Sequence, residues 1–160
     1  MRLLLSLSLW LAASGAGHGQ CRGLTKRVVP AKQKTLFYSP GYNGPAYLPV
    51  SYLRVDRAQH TVLYVVLRVP GDSAALQQGS TVFLADGSRL AWPQRVVGFK
   101  TDHGRPVWWA ENELTAAQLT QLRTQLIAAV QVHCYVHKLT GEQAQQARAF
   151  FNCVREAAAK

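Results

Sequence analysis

The chain has 160 residues, with 18 lysines and arginines against 8 aspartates and glutamates, and a formal net charge of +10. A chain of this length can bury a sizeable core in one domain without depending on disulfides. The positive charge favours attraction to anionic surfaces. No complete acid/base or nucleophile constellation stands out in the sequence, which argues against an enzyme.

The N-terminus has the pattern of a secretory signal peptide. Arg2 is followed by an apolar run from Leu3 to Ala13 and then by small residues. The run is about eleven residues, too short for a membrane-spanning helix. We predict a signal peptide over residues 1–19, with cleavage between 16 and 19, and hence an exported protein, periplasmic or secreted. A lipid anchor at Cys21 is not expected, because Gln20 is not the small residue that such processing needs.

Residues 20–49 are predicted to form a basic, Pro/Gly-rich and partly disordered arm. Five basic residues lie within thirteen positions that contain no acid, namely Arg22, Lys26, Arg27, Lys32 and Lys34. They are a candidate surface for an anionic envelope component or a protein partner. Nucleic acid is not expected as a partner, because an exported protein seldom meets it and the arm lacks interleaved aromatic residues.

The stretch from 50 to 112 predicts a meander-like antiparallel array of strands. The segments VSYLRV and TVLYVVLRV are rich in β-branched and aromatic residues and indicate a hairpin. A second hairpin is predicted to turn at Asp86-Gly87 with type I′ geometry. A third is predicted to turn at Asp102-His103-Gly104.

The last third predicts two helices around one strand. Thr115 and Gln118 form a capping box that opens a short amphipathic helix. The segment IAAVQVHCYVH alternates strictly and predicts one strand with Val130, Val132, Cys134 and Val136 on its buried face. A terminal helix begins at Thr140-Gly141 and presents Phe150, Phe151 and other apolar residues on one face. The predicted fold class is α+β, mainly antiparallel β, within a single domain over residues 50–160.

His133 and His137 raise the question of a metal site. On one strand they point the same way but lie about 13 Å apart, so they cannot bind one metal together. A site using His133 and Tyr135 would need further ligands such as His60 or His103. We therefore predict no metal and no cofactor, and keep a metal-binding periplasmic protein as an alternative.

Three cysteines in an exported chain leave one without a partner. Cys134 faces the buried side of the predicted strand and Cys153 lies near Phe150 on the predicted helix. We therefore favour a Cys134 to Cys153 disulfide. A Cys21 to Cys153 bond with a buried, reduced Cys134 is the competing hypothesis.

Two groups of residues resemble parts of hydrolase sites. Gly71-Asp72-Ser73 is similar to the nucleophile stretch of a lipase/esterase family, but the accompanying leucine and the downstream Asp-x-x-His pair are missing. Glu111 and Glu113 lie about 6.6 Å apart if they are on one strand, near the spacing of a glycosidase pair. Turn formation at Asp72 and a helix N-terminus after Glu113 are the simpler interpretations, so a hydrolase of envelope polymers is an alternative only.

Tryptophans provide one more candidate surface. Trp108 and Trp109 point to opposite faces of a strand, so one can lie in the core. The other could join Trp92 in a patch on which sugars or peptides stack. These three residues are the predicted stacking surface.

The order of elements over residues 65 to 155 resembles small exported proteins of unknown function from Bacteroidota. The segments that carry this resemblance are the hairpin GSTVFLADGSRLAWP, the helix region beginning ELTAAQL, the isoleucine-led strand and the cysteine-bearing terminal helix. The resemblance implies an envelope or secreted location and transfers no catalytic residue. Together with the residues, it favours a non-enzymatic, exported binding or envelope-associated protein.

Overall fold

The computed structural model describes residues 21, 23–32, 34–40, 48–57, 59–72, 78–102 and 104–157. The predicted signal peptide lies outside the described residues. Within those ranges the chain forms ten strands and two α-helices. In chain order these are β1 (Thr25–Val29), β2 (Lys34–Tyr38), β3 (Val50–Arg57), β4 (Thr61–Pro70), β5 (Gln78–Leu84), β6 (Arg89–Val96), β7 (Gly98–Asp102), β8 (Arg105–Glu113), α1 (Ala116–Thr124), β9 (Ile127–Val132), β10 (Tyr135–Lys138) and α2 (Gly141–Glu156).

The larger sheet has six antiparallel strands in the order β1-β2-β3-β4-β8-β7. The predicted hairpins β3–β4 and β7–β8 are confirmed. Residues predicted to belong to a partly disordered arm instead form β1 and β2, joined by a 3-10 turn over Pro30–Lys32. The arm prediction is therefore wrong for this stretch, because β2 pairs along its length with β3 and extends the sheet.

The smaller sheet has four antiparallel strands in the order β10-β9-β5-β6. It packs on one face of the larger sheet, and residues from both sheets and from α2 share a single main core. A second, smaller apolar cluster, which includes Leu36, Leu53 and Val66, lies on the opposite face of the larger sheet. The fold is thus mainly antiparallel β with a short helix and a C-terminal helix, as the sequence predicts.

The β5–β6 hairpin is confirmed, but its turn is not of type I′. The amide of Gly87 donates to the carbonyl of Leu84 at 3.1 Å, and Gly87 has a positive φ of 86°. A type I′ turn needs positive φ at both central residues, and Asp86 does not have it. The Asp86 carboxylate instead accepts from the backbone amide of Ser88 at 2.9 Å, which fixes a longer loop.

Both helices begin where their sequences predict. Thr115 with Gln118, and Thr140 with Gln143, form complete capping boxes, in which each side-chain oxygen accepts a hydrogen bond from the other residue's backbone amide. Such caps satisfy amide groups that the first helical turn leaves unpaired. The buried face of α2 includes Ala147, Phe151 and Val154, at the spacing of an amphipathic helix. Among the described residues, neither helix is both long and apolar enough to cross a membrane.

The prediction of one continuous strand near residue 133 is wrong. Strands β9 and β10 form a hairpin with Val132 opposite Tyr135, so His133 and Cys134 are its two turn residues. His133 adopts a φ of +59°, a conformation that such tight turns require and that residues other than glycine seldom adopt. The turn reverses the alternation, and Val136, predicted to be buried, is 54% exposed.

Tyr52 provides a test of the core through pH. It is 1% exposed, its ring lies 5.4 Å from that of Phe151, and burial raises the pKa of its hydroxyl above the ordinary value of 10.0. Because the pKa is raised, the folded protein keeps this proton at a pH where the unfolded chain releases it. The free energy of unfolding is therefore at its full value below pH 10 and falls as the pH rises above that value. We expect wild type to lose about 1.4 kcal/mol per pH unit above pH 10 relative to Tyr52→Phe. Urea unfolding of both proteins between pH 8 and about 11 measures this, and parallel pH profiles would contradict it.

Candidate functional site

The strands β1 and β2 and the turn between them, residues 25–38, are named the basic hairpin. It carries four of the five predicted basic residues, and the fifth, Arg22, lies outside the described part of the chain. Lys26, Arg27 and Lys32 are exposed, and Lys34 is partly exposed. The hairpin therefore gathers these charges on a defined element of the sheet.

Strand alternation distributes the charges over both faces of the basic hairpin. Lys26 lies opposite Phe37, and its Nζ atom is 5.8 Å from the centre of that ring, within cation–π range. Arg27 points to the other face, opposite Leu36. A partner that approaches the edge of the sheet therefore meets positive charge above and below the strand.

The positive charge continues onto β3. Arg57 is exposed and lies opposite Lys34, so it extends the basic surface. Sequence reasoning missed Arg57, because only the pairing of β2 with β3 brings it to the hairpin. The nearby carboxylate of Asp56 accepts from Arg54 Nε at 2.6 Å and from the Thr61 hydroxyl at 2.8 Å. The Asp56 carboxylate is thus hydrogen-bonded to Arg54 and Thr61, on β3 and β4.

The disulfide joins Cys21 to Cys153, with Cα atoms 5.4 Å apart. The favoured pairing of Cys134 with Cys153 is therefore wrong, and Cys134 is a free, exposed thiol. The reason is the turn at residues 133 and 134, which removes Cys134 from the buried face on which the prediction depended. The bond attaches the segment before β1 to helix α2.

His133 is buried, at 6% exposed, among aromatic rings and not among metal ligands. Its ring centroid lies 4.9 Å from that of Trp108 and 5.7 Å from that of Tyr135. Neither ring nitrogen has a hydrogen-bond partner among the residues that the structure describes. No group of three or more potential His, Cys, Asp or Glu ligands occurs in the part of the chain that the structure describes. His60 is exposed in the β3–β4 turn, and His103 lies outside the described residues.

A surface cleft of about 190 Å³ opens beside His133. The cleft lies where the pairing of β5 with β6 is irregular, between Gln78 and Ser80. The residues around it are small or uncharged: Gly79, Ser80, Thr81, Ala91, Pro93, Gln131 and His133. Behind it the Ser80 hydroxyl donates to the Asn112 side-chain oxygen at 3.0 Å. Both His133 ring nitrogens are inaccessible to solvent, so the cleft presents no acid/base group to a bound molecule.

The three tryptophans do not form the predicted stacking surface. Trp108 is 3% exposed in the main core, and Trp92 is half-buried against the same core. Trp109 lies on the opposite face of β8, where its indole crosses Gly98 on β7 and leaves no room for a β-carbon there. All three rings are thus used in packing, Trp92 and Trp108 against the main core and Trp109 on Gly98 at the other face of the larger sheet.

The predicted hydrolase groups lie apart from one another. The carbonyl of Asp72 accepts from Trp108 Nε1 at 2.9 Å and from the Tyr135 hydroxyl at 3.3 Å, and Ser73 lies outside the described residues. Glu111 and Glu113 lie on β8, opposite Val66 and Tyr64, and not in the first turn of α1. Asp72 therefore has a packing role at the end of β4, and the two glutamates lie on the face of β8 that points away from the main core.

Comparisons of this chain with protein-family models, with curated proteins and with solved structures found no match. The resemblance to exported Bacteroidota proteins stays a prediction. The basic hairpin is the candidate functional surface that the geometry supports best.

Proposed function

We propose that this protein is an exported, non-enzymatic binding module that attaches to an anionic component of the cell envelope through the basic hairpin. The observation that carries the proposal is the concentration of Lys26, Arg27, Lys32 and Lys34 on one ordered element that has no acidic residue of its own. Such a surface attracts anionic partners and raises their rate of association.

Export is supported by two separate features. The N-terminal sequence has the pattern of a signal peptide. The disulfide between Cys21 and Cys153 is of a kind that forms and persists in oxidising compartments such as the periplasm and the extracellular space. An envelope component is therefore a partner that the protein would meet.

A four-residue variant tests the role of the hairpin. Replacing Lys26, Arg27, Lys32 and Lys34 with glutamine removes three exposed charges and one partly exposed charge, each worth about 0.2–1 kcal/mol in a surface ion pair. Affinity for heparin, used as a soluble model polyanion, should fall roughly 4- to 800-fold. Isothermal titration calorimetry at low salt measures this, and the difference should shrink as salt screens the charges.

The matched control replaces four exposed basic residues elsewhere, Arg89, Arg123, Lys138 and Arg148, with glutamine. It has the same net charge as the hairpin variant but keeps the hairpin. Heparin affinity should fall by much less in this control. Equal losses in the two variants would mean that overall charge, and not the hairpin, attracts the polyanion.

A further inference from the structure

Strand β1 is an open edge of the larger sheet. It pairs with β2 on one side, and no described strand pairs with its other side. Alternate backbone N–H and C=O groups of an edge strand point outward and can pair with an added strand. The backbone of β1 thus offers hydrogen bonds to an extended chain.

The exposed side chains of β1 determine which residue types would suit an added strand. Arg27 and Lys26 are exposed and adjacent, and Val28, at 58% exposed, follows directly. In an antiparallel pair, the residues opposite these three would be directly adjacent to them. Two acidic residues and one apolar residue, in the order apolar-acidic-acidic, would match them.

A second copy of this chain is a poor partner for β1. Antiparallel self-pairing over the full length of the strand would place Arg27 opposite Arg27 of the other copy. Like charges directly opposite each other destabilise a strand pair. Acidic residues in the same positions stabilise it.

The other sheet edges are less suited to an acidic strand. Edge strand β6 contains Pro93, which cannot donate a backbone hydrogen bond, and β10 has four residues. Strand β7 carries the acidic residue Asp102. Only β1, among the described edges, combines an adjacent basic pair with an exposed apolar residue.

The disulfide holds the start of β1 in place before a partner binds. Cys21 lies four positions before Thr25 and is bonded to α2, so the start of β1 is attached to the body of the fold. Fixing a binding segment in advance lowers the entropy that must be lost when a partner binds.

We infer that β1 accepts an extended, acidic segment of a partner polypeptide as an additional antiparallel strand. This rests on the proposed function of the basic hairpin and names its partner class. Backbone hydrogen bonds supply affinity in this mode of recognition, and the side chains supply selectivity.

The test uses the full-length exported protein and the synthetic peptide acetyl-Thr-Thr-Val-Glu-Glu-Thr-Thr-amide, which places valine opposite Val28 and glutamates opposite Arg27 and Lys26. Two further peptides carry N-methyl groups on one or the other alternating set of residues. A strand binds through one edge only, so one methylation pattern should lower affinity by on the order of tenfold or more and the other should leave it nearly unchanged. Titration followed by NMR measures the three affinities, and hydrogen exchange of the β1 amides should slow with the binding peptides.

The outcomes separate this inference from the proposed function. Equal affinity of all three peptides would show attraction by charge alone and overturn strand addition, while heparin binding by the hairpin would stand. Failure of every peptide to bind, with heparin still bound, would also overturn it. Unchanged heparin affinity in the four-residue glutamine variant would instead refute the proposed function itself.

Discussion

Replacing Phe151 with alanine is expected to lower the free energy of unfolding by about 3–5 kcal/mol. Phe151 is 0% exposed and its ring packs against that of Tyr52 at 5.4 Å. The substitution removes the transfer free energy of the ring and leaves a cavity between α2 and the larger sheet. Urea unfolding followed by tryptophan fluorescence measures the change.

Phe99→Ala is the matched control for this prediction. Phe99 lies on edge strand β7 and is 41% exposed, although its ring is 5.0 Å from that of Trp108. The same chemical change should cost only about 1 kcal/mol there, since much of the ring is already in water. If the two variants were equally destabilised, α2 would not be closing the main core.

Local signals in the sequence predict the local elements of this fold well. The capping boxes at Thr115 and Thr140 locate both helix starts to the residue, because the side chains that satisfy the free amides lie within four positions. The hairpins β3–β4, β5–β6 and β7–β8 are marked by short polar or glycine-containing links. Each of these features depends on residues that are close in the chain.

The pairing of strands that are distant in the chain cannot be predicted from such local signals. Strand β4 pairs with β8 and not with β5, which divides consecutive hairpins between two sheets. The turn at His133 and Cys134 lacks the glycine, asparagine or aspartate that usually marks a tight turn. That one missed turn also led to the wrong disulfide, since it placed Cys134 on a buried face.

The candidate site shows the same division. Lys26, Arg27, Lys32 and Lys34 are visible as a cluster in the sequence, but high charge suggested disorder in place of strands. The β-branched and aromatic residues of β1 and β2, on either side of Pro30, are the signal that could have indicated a hairpin. Arg57 enters the surface only through the sheet, so no local pattern predicts it.

Replacing Cys21 with serine is expected to lower the free energy of unfolding by about 2–5 kcal/mol under oxidising conditions. The bond connects residues 132 positions apart, so it restricts a large part of the unfolded chain. Denaturant unfolding of both proteins, with and without a reductant, measures the effect. Reduction should lower the free energy of unfolding of wild type close to that of Cys21→Ser and leave that of the variant unchanged.

Cys134→Ser is the control that separates the two disulfide hypotheses. Cys134 is an exposed turn residue and a free thiol, so its replacement should change stability by no more than about 0.5 kcal/mol. Alkylation of the native protein before reduction should label Cys134 alone. A Cys134 to Cys153 bond would reverse both results, because Cys134→Ser would then be the destabilising change and Cys21 would be the thiol that is labelled.

Since Cys21 lies just before the basic hairpin, Cys21→Ser should also weaken heparin binding more than Cys134→Ser does, because β1 loses its attachment to α2.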